Sequence, residues 1–175
     1  MAYFNVLKGA YLSMPQVDKT LPADAAATGI VRGSCIYDDA GEWKLCTAAG
    51  NTNPVQYVFF ALQGFNDLTA GMAGTVGQGN AGGVPYITGF AVGNPVEFQT
   101  DQFVDDTYTI GQLLTIGDTG KLGDHDTGEN CVAQVTAVAA NKWVNDAVAV
   151  TGYKNGAFVT VLTARTMWIP RLVTA

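Results

Sequence analysis

Several stretches of this 175-residue chain carry residue types whose spacing could do chemistry. Gly77-Gln78-Gly79-Asn80-Ala81-Gly82 has the GxGxxG spacing with which backbone amides close around a pyrophosphate, and Glu97 lies where such a site places its ribose-binding acid. That chemistry needs a strand before the glycines and a helix N-terminus after them. Here the glycines run into Gly83-Val84-Pro85 and a β-branched, aromatic stretch, so they read as a surface loop. Two Asp-Thr-Gly triplets, at Asp118 and Asp126, suggest the paired carboxylates of an aspartic protease. Such carboxylates come from separate lobes or subunits, whereas these stand eight residues apart in one loop, so the triplets read as turns.

His125, the one histidine, sits between Asp124 and Asp126 with no local nucleophile to activate, and reads as solvated. Acidity concentrates at Asp101, Asp105, Asp106, Asp118, Asp124, Asp126 and Glu129, with Lys121 as the base among them. Hard cations want six to eight oxygens, but the spacing matches no EF-hand loop, so an acidic surface patch is the reading. Cys35, Cys46 and Cys131 are odd in number and lack CxxC spacing, which indicates buried free thiols in a reducing compartment rather than a disulfide or zinc framework. No catalytic residue, cofactor site or metal site is expected.

The elements that would position these residues are strands. From Gly29 onward, short β-branched and aromatic runs alternate with Gly, Asn and Asp turns, and no apolar stripe holds helical spacing over several turns. Segments 29–37 and 42–47 flank the turn Asp38-Asp39-Ala40-Gly41. Pairing Ile36 with Trp43 and Ser34 with Leu45 puts Ile36, Trp43 and Leu45 on a core face. That register leaves Cys35 and Cys46 diagonal, about 7–8 Å apart and too distant for an easy disulfide. Further strands are expected at 55–63, 84–90, 96–100, 111–116 and 131–138, with a last short one ending at Trp168-Ile169-Pro170. Asn155-Gly156 signals a tight hairpin that sets Tyr153 against Phe158 and Val150 against Val161.

Residues 1–28 differ from the rest. Pro15 and Pro22 punctuate them, and they read as an extended N-terminal arm with a short helical turn at 23–27. Tyr3, Phe4, Val6, Leu7, Tyr11, Leu12 and Met14 make the arm too apolar to remain in water, so it packs on its own body or on a neighbour. The expected architecture is mainly β: a compact single-domain barrel or sandwich over residues 29–175, with that arm and few helical turns.

Composition narrows the function. Apolar residues make up 48% and charged residues 14%, and 9 Lys+Arg against 15 Asp+Glu give a net charge of −6. Phosphate neutralisation needs clustered bases, so a nucleic-acid partner is not expected. No run approaches the ~18 apolar residues of a membrane span, and the N-terminus lacks the order of an export signal.

From Gly29 onward the succession resembles the small capsid decoration (cement) proteins of tailed bacteriophages. The likeness is carried by 29–34, the turn at 39–41, Trp43-Lys-Leu-Cys-Thr-Ala-Ala49, Gly93-Asn-Pro-Val-Glu-Phe98 and Ile110-Gly-Gln-Leu-Leu-Thr-Ile-Gly117. Gly120-Lys-Leu-Gly123, Asn130-Cys-Val-Ala-Gln-Val-Thr136 and Phe158-Val-Thr-Val-Leu-Thr163 continue it. The resemblance implies a non-catalytic virion structural protein, made in host cytoplasm and placed on the capsid exterior as a homotrimer. Its partner would be the major capsid protein, whose neighbouring subunits it clamps against internal pressure. The apolar arm would then lie along adjacent subunits. A phage tail-tube or head-fibre subunit is an alternative. So is a carbohydrate-binding sandwich, for which Trp43, Trp143, Trp168, Tyr57, Tyr86 and Tyr108 are the candidate stacking platforms.

Overall fold

Alternating and continuous apolar runs build different strands here, and the difference defines the layers. The computed structural model describes residues 4–8, 16–27, 29–47, 56–62, 86–92, 96–105, 107–145, 156–166 and 171–172. The GxGxxG segment, Asp106 and the segments 146–155 and 167–170 lie outside them. In chain order the strands are β1 (Phe4–Lys8), β2 (Gln16–Pro22), β3 (Cys35–Asp39), β4 (Glu42–Leu45), β5 (Gln56–Tyr57), β6 (Phe59–Ala61) and β7 (Tyr86–Val92). They continue as β8 (Glu97–Thr100), β9 (Leu113–Ile116), β10 (Leu122–Asp124), β11 (Ala133–Asn145), β12 (Gly156–Thr166) and β13 (Arg171–Leu172).

One sheet has six strands in the order β1-β8-β12-β11-β9-β10, the other five in the order β2-β7-β6-β3-β4, and β13 pairs with β5 apart from both. All these pairings are antiparallel. The two sheets pack as an open sandwich, not a closed barrel, so the mainly β expectation holds and its two forms are resolved. β8 alternates, with Phe98 and Thr100 buried between half-buried Glu97 and Gln99, as a strand with one covered face should.

The interior between the sheets gathers Phe98, Leu114, Ile116, Leu122, Val135, Leu162 and Ala164 from the six-stranded side and Cys35, Val58 and Phe60 from the other. Phe4 joins them. Its ring stacks on Phe60 at 5.3 Å and lies 5.5 Å from Phe98. A second cluster covers the outer face of the five-stranded sheet, where Ile36, Trp43, Phe59, Ala61 and Ile87 meet Ala23, Ala27 and Ile30. That sheet is therefore buried on both faces, and β6, in its middle, is apolar throughout and fully covered.

The second cluster corrects the expected core face. Ile36 and Trp43 are buried, but beneath the 23–30 segment; the thiols Cys35 and Cys46 face the sandwich interior. The hairpin register is corrected with it. Ile36 stands opposite Leu45 and Asp38 opposite Trp43, because the loop is only Ala40-Gly41. Both residues take positive φ (53° and 95°), the two-residue turn whose twist matches the strands. Asp38 and Asp39 thus belong to the strand. Cys35 and Cys46 become direct neighbours, the Cys46 amide donating to the Cys35 carbonyl at 3.0 Å.

The late hairpin also differs. Gly156 opens β12 opposite Asn145, while Val150, Tyr153 and Asn155 of the expected turn lie outside the described residues. Phe158 pairs with Trp143, and Val161 with Ala139.

The arm, where described, is extended and packs on its own body. β1 pairs with β8 and β2 with β7, and 23–27 forms one turn closed by the Ala27 amide on the Asp24 carbonyl at 2.8 Å. The expected strand at 55–63 is divided between β5 and β6, and that at 131–138 runs on to Asn145.

Candidate functional site

Glycines set two of the close approaches that shape the surface. At Gly89 on β7, a Cβ would lie 2.7 Å from Trp43 Cζ2, so glycine lets the indole lie flat on the strand while its Nε1 donates to the Ile87 carbonyl at 2.7 Å. At Gly120, φ is +71° and a Cβ would meet the Cys35 carbonyl at 2.8 Å. The Gly120 amide donates to the Cys46 carbonyl at 2.8 Å, docking the β9–β10 turn on the edge of the opposite sheet. The first Asp-Thr-Gly triplet thus ends in an inter-sheet latch.

The second triplet belongs to a loop held by its own groups. The Asp126 amide donates to Glu129 Oε2, His125 Nε2 lies 2.9 Å from the Glu129 carbonyl, and Gly128 has φ +97°. The Gln112 side-chain amide and the His125 amide both donate to Asp124 Oδ1. Each contact defines the loop's shape, and none joins His125 to a hydroxyl or thiol. Among the described residues no cluster of three His, Cys, Asp or Glu side chains is arranged to hold a metal.

Two of the three thiols, Cys35 and Cys46, are kept from water, and Cys131 is half-buried. Burial pushes the Cys35 thiol up to about 12 and the Cys46 thiol well above its usual value, with Cys35 adding to the latter. Burial likewise raises Cys131, whose Sγ donates to the Ala133 carbonyl, and lifts Tyr108 to about 12. Thiolate chemistry needs the opposite environment. A cleft of about 480 Å³ is lined by Gly29, Val31, Leu45, Asp101, Gln102, Thr119 and Lys121. It offers hydrogen-bonding groups and one charge of each sign, and no thiol or imidazole.

The residues expected to make contacts are separated by the fold. Phe4 is core, Val6 is half-buried against the interior, and Leu7 is 40% exposed on β1. Tyr3, Tyr11, Leu12 and Met14 lie outside the described residues. Of the aromatic platforms, Trp43 and Tyr108 are buried and Tyr86 is 38% exposed, while the side chains of Tyr57, Trp143 and Trp168 lie outside what the structure describes.

A different apolar surface was not anticipated from the sequence. β11 and β12 are paired from Ala133 to Asn145, yet β8 reaches only Leu162 to Arg165 and β9 only Ala133 and Gln134. Among the described residues the ladder outruns its neighbours and continues as a two-stranded ribbon. On it Ala137 and Ala140 are exposed, Val138 is 39% exposed and Phe158 67%. The signal was present in the run from Ala137 to Ala140 and in Phe158-Val159-Thr160-Val161, but their pairing with each other was not expected. Compared with protein-family models, curated proteins and solved structures, the chain matches none.

Proposed function

We propose that this chain is a non-catalytic virion structural protein that decorates and stabilises the outside of an icosahedral phage capsid. It clamps neighbouring subunits of the major capsid protein and self-associates as a homotrimer. The observation that carries this reading is the combination of a covered sandwich with an apolar ribbon turned to solvent at Val138 and Phe158. A molecule that works by contact needs area of this kind, and it needs no activated nucleophile. The resemblance from Gly29 onward supplies the partner. The acidic surface suits a protein that must stay soluble at high copy number before it finds a shell. A carbohydrate-binding sandwich is less well supported, because Trp43 and Tyr108 are core residues rather than platforms.

The test is co-sedimentation of the full chain with purified, expanded, undecorated heads, read as copies bound per shell. Saturation at a fixed multiple of the threefold positions is expected. Failure to sediment with heads at any concentration up to the solubility limit would sink the decorating role.

A further inference from the structure

The corrected β3–β4 register brings together two thiols that the expected register held on a diagonal. Ile36 faces Leu45 across the hairpin, and one step further the Cys46 amide donates to the Cys35 carbonyl at 3.0 Å. Cys35 and Cys46 therefore stand directly opposite each other, on the hydrogen-bonded side of an antiparallel ladder. Alternation carries both side chains to one face: Ile36 and Leu45 meet the cluster under 23–30, whereas both thiols enter the interior between the sheets. Opposed residues of this kind have Cα atoms about 5.5 Å apart, inside the range of about 4.4–6.8 Å that a disulfide spans. Their Cβ atoms, at about 5 Å, must approach by about 1 Å. β4 is the last strand of its sheet, so the twist of the hairpin supplies that movement.

We propose that Cys35 and Cys46 are the two halves of a cross-strand disulfide, which closes when the open chain meets a small-molecule disulfide such as oxidised glutathione. One protein thiol, as its thiolate, attacks a sulfur of the reagent and expels one glutathione thiolate; the other protein sulfur then displaces the second. Two protein S–H bonds and the reagent's S–S bond become one protein S–S bond and two glutathione S–H bonds. Burial sets when this can happen. Only residues 36–45 separate the thiols, whereas most of the interior cluster around them, from Phe98 to Ala164, lies downstream. In the closed core both are fully buried and burial holds their protons in place, so exchange belongs to molecules whose core is open. The Gly120 turn seals the same point: its amide donates to the Cys46 carbonyl, and a Cβ there would meet the Cys35 carbonyl. Whichever form is present as the core closes is kept, a dithiol in a reducing compartment and a disulfide in an oxidising one. The inference is independent of the decorating role.

The test uses the full chain carrying Cys131→Ser, which leaves one possible pair. It is equilibrated with glutathione redox mixtures in denaturant and, separately, through stepwise dialysis into native buffer. Acid quenching, alkylation and mass spectrometry read the ratio of disulfide to dithiol. The expected product has lost two hydrogens and holds residues 35 and 46 in one linked fragment. At the same glutathione mixture its ratio to dithiol is about tenfold or more higher in native buffer than in denaturant. The linked form accordingly unfolds at a higher denaturant concentration than the dithiol form. Dithiol protein that is already folded closes the bond about tenfold or more slowly than the same chain in denaturant. The wild type, mapped in the same way, gives the 35–46 link and a free Cys131, a readout that needs no variant. The proposal is overturned by a ratio no higher in native buffer than in denaturant, or by a linked form that unfolds before the dithiol. Folded dithiol that oxidises as fast as denatured chain, or Cys131 joined to either buried thiol in folded wild type, overturns it equally.

Discussion

At Asp38, one carboxylate ties two elements together. It accepts from Lys19 of β2 and from the Gly41 amide in its own hairpin turn. The hydrogen bond from Lys19 is the largest influence and holds the carboxyl below its ordinary value, with Gly41 acting in the same direction. A carboxyl depressed in the folded state stabilises above its unfolded value, and that contribution disappears as pH falls through the folded one. Asp38→Asn should therefore lower stability by about 0.2–1 kcal/mol near neutral pH, as expected for a partly exposed pair. In denaturant titrations the gap to wild type should close as pH falls below the ordinary Asp range. Trp43 invites a sharper test. Gly89→Ala forces a Cβ into the indole and should cost about 1–3 kcal/mol, much of it restored when Trp43 is shortened to Leu in the same chain. The thiols form a third case: in native protein a mild disulfide reagent should modify Cys131 well before Cys35 or Cys46, which react only after unfolding.

The strands themselves were largely legible, because alternation around Phe98 and the β-branched runs leave little choice of element. Their registers were less so. At Ala40-Gly41 the turn type depends on alanine accepting a positive φ, which its side chain disfavours, so the longer loop was the natural reading. For β1, apolar composition correctly indicated packing but not its depth. Phe4 lies opposite Thr100, a partner remote in sequence, and completes a three-ring contact with Phe60 and Phe98. Phe4→Ala should thus destabilise by about 3–5 kcal/mol. Removing residues 2–21 takes away a strand from each sheet, so the shortened chain should lose its sharp thermal transition and near-ultraviolet dichroism.

For the molecule as a whole, two layers were foreseeable from strand texture, while the third covering, 23–30 over the five-stranded sheet, was not. Nothing in Ala23 or Ala27 distinguishes a covering segment from a linker, since small residues mark close approach only once the partner surface is known. The candidate contact residues were similarly divided, with Phe4 spent on the interior and the solvent-facing apolar area found on the ribbon instead. The covering segment bears on how the chain is made. Val58-Phe59-Phe60-Ala61-Leu62 is uncharged, proline-free and strongly β-forming, the composition that seeds cross-β aggregation when left bare. As it leaves the ribosome, its flanking strand β3 and the residues that will shelter Phe59 already exist upstream, while β7 is still to be synthesised. Vectorial synthesis thus delivers the shield ahead of the hazard, and a circular permutant that begins downstream of 23–30 should depend on chaperones where the natural order does not.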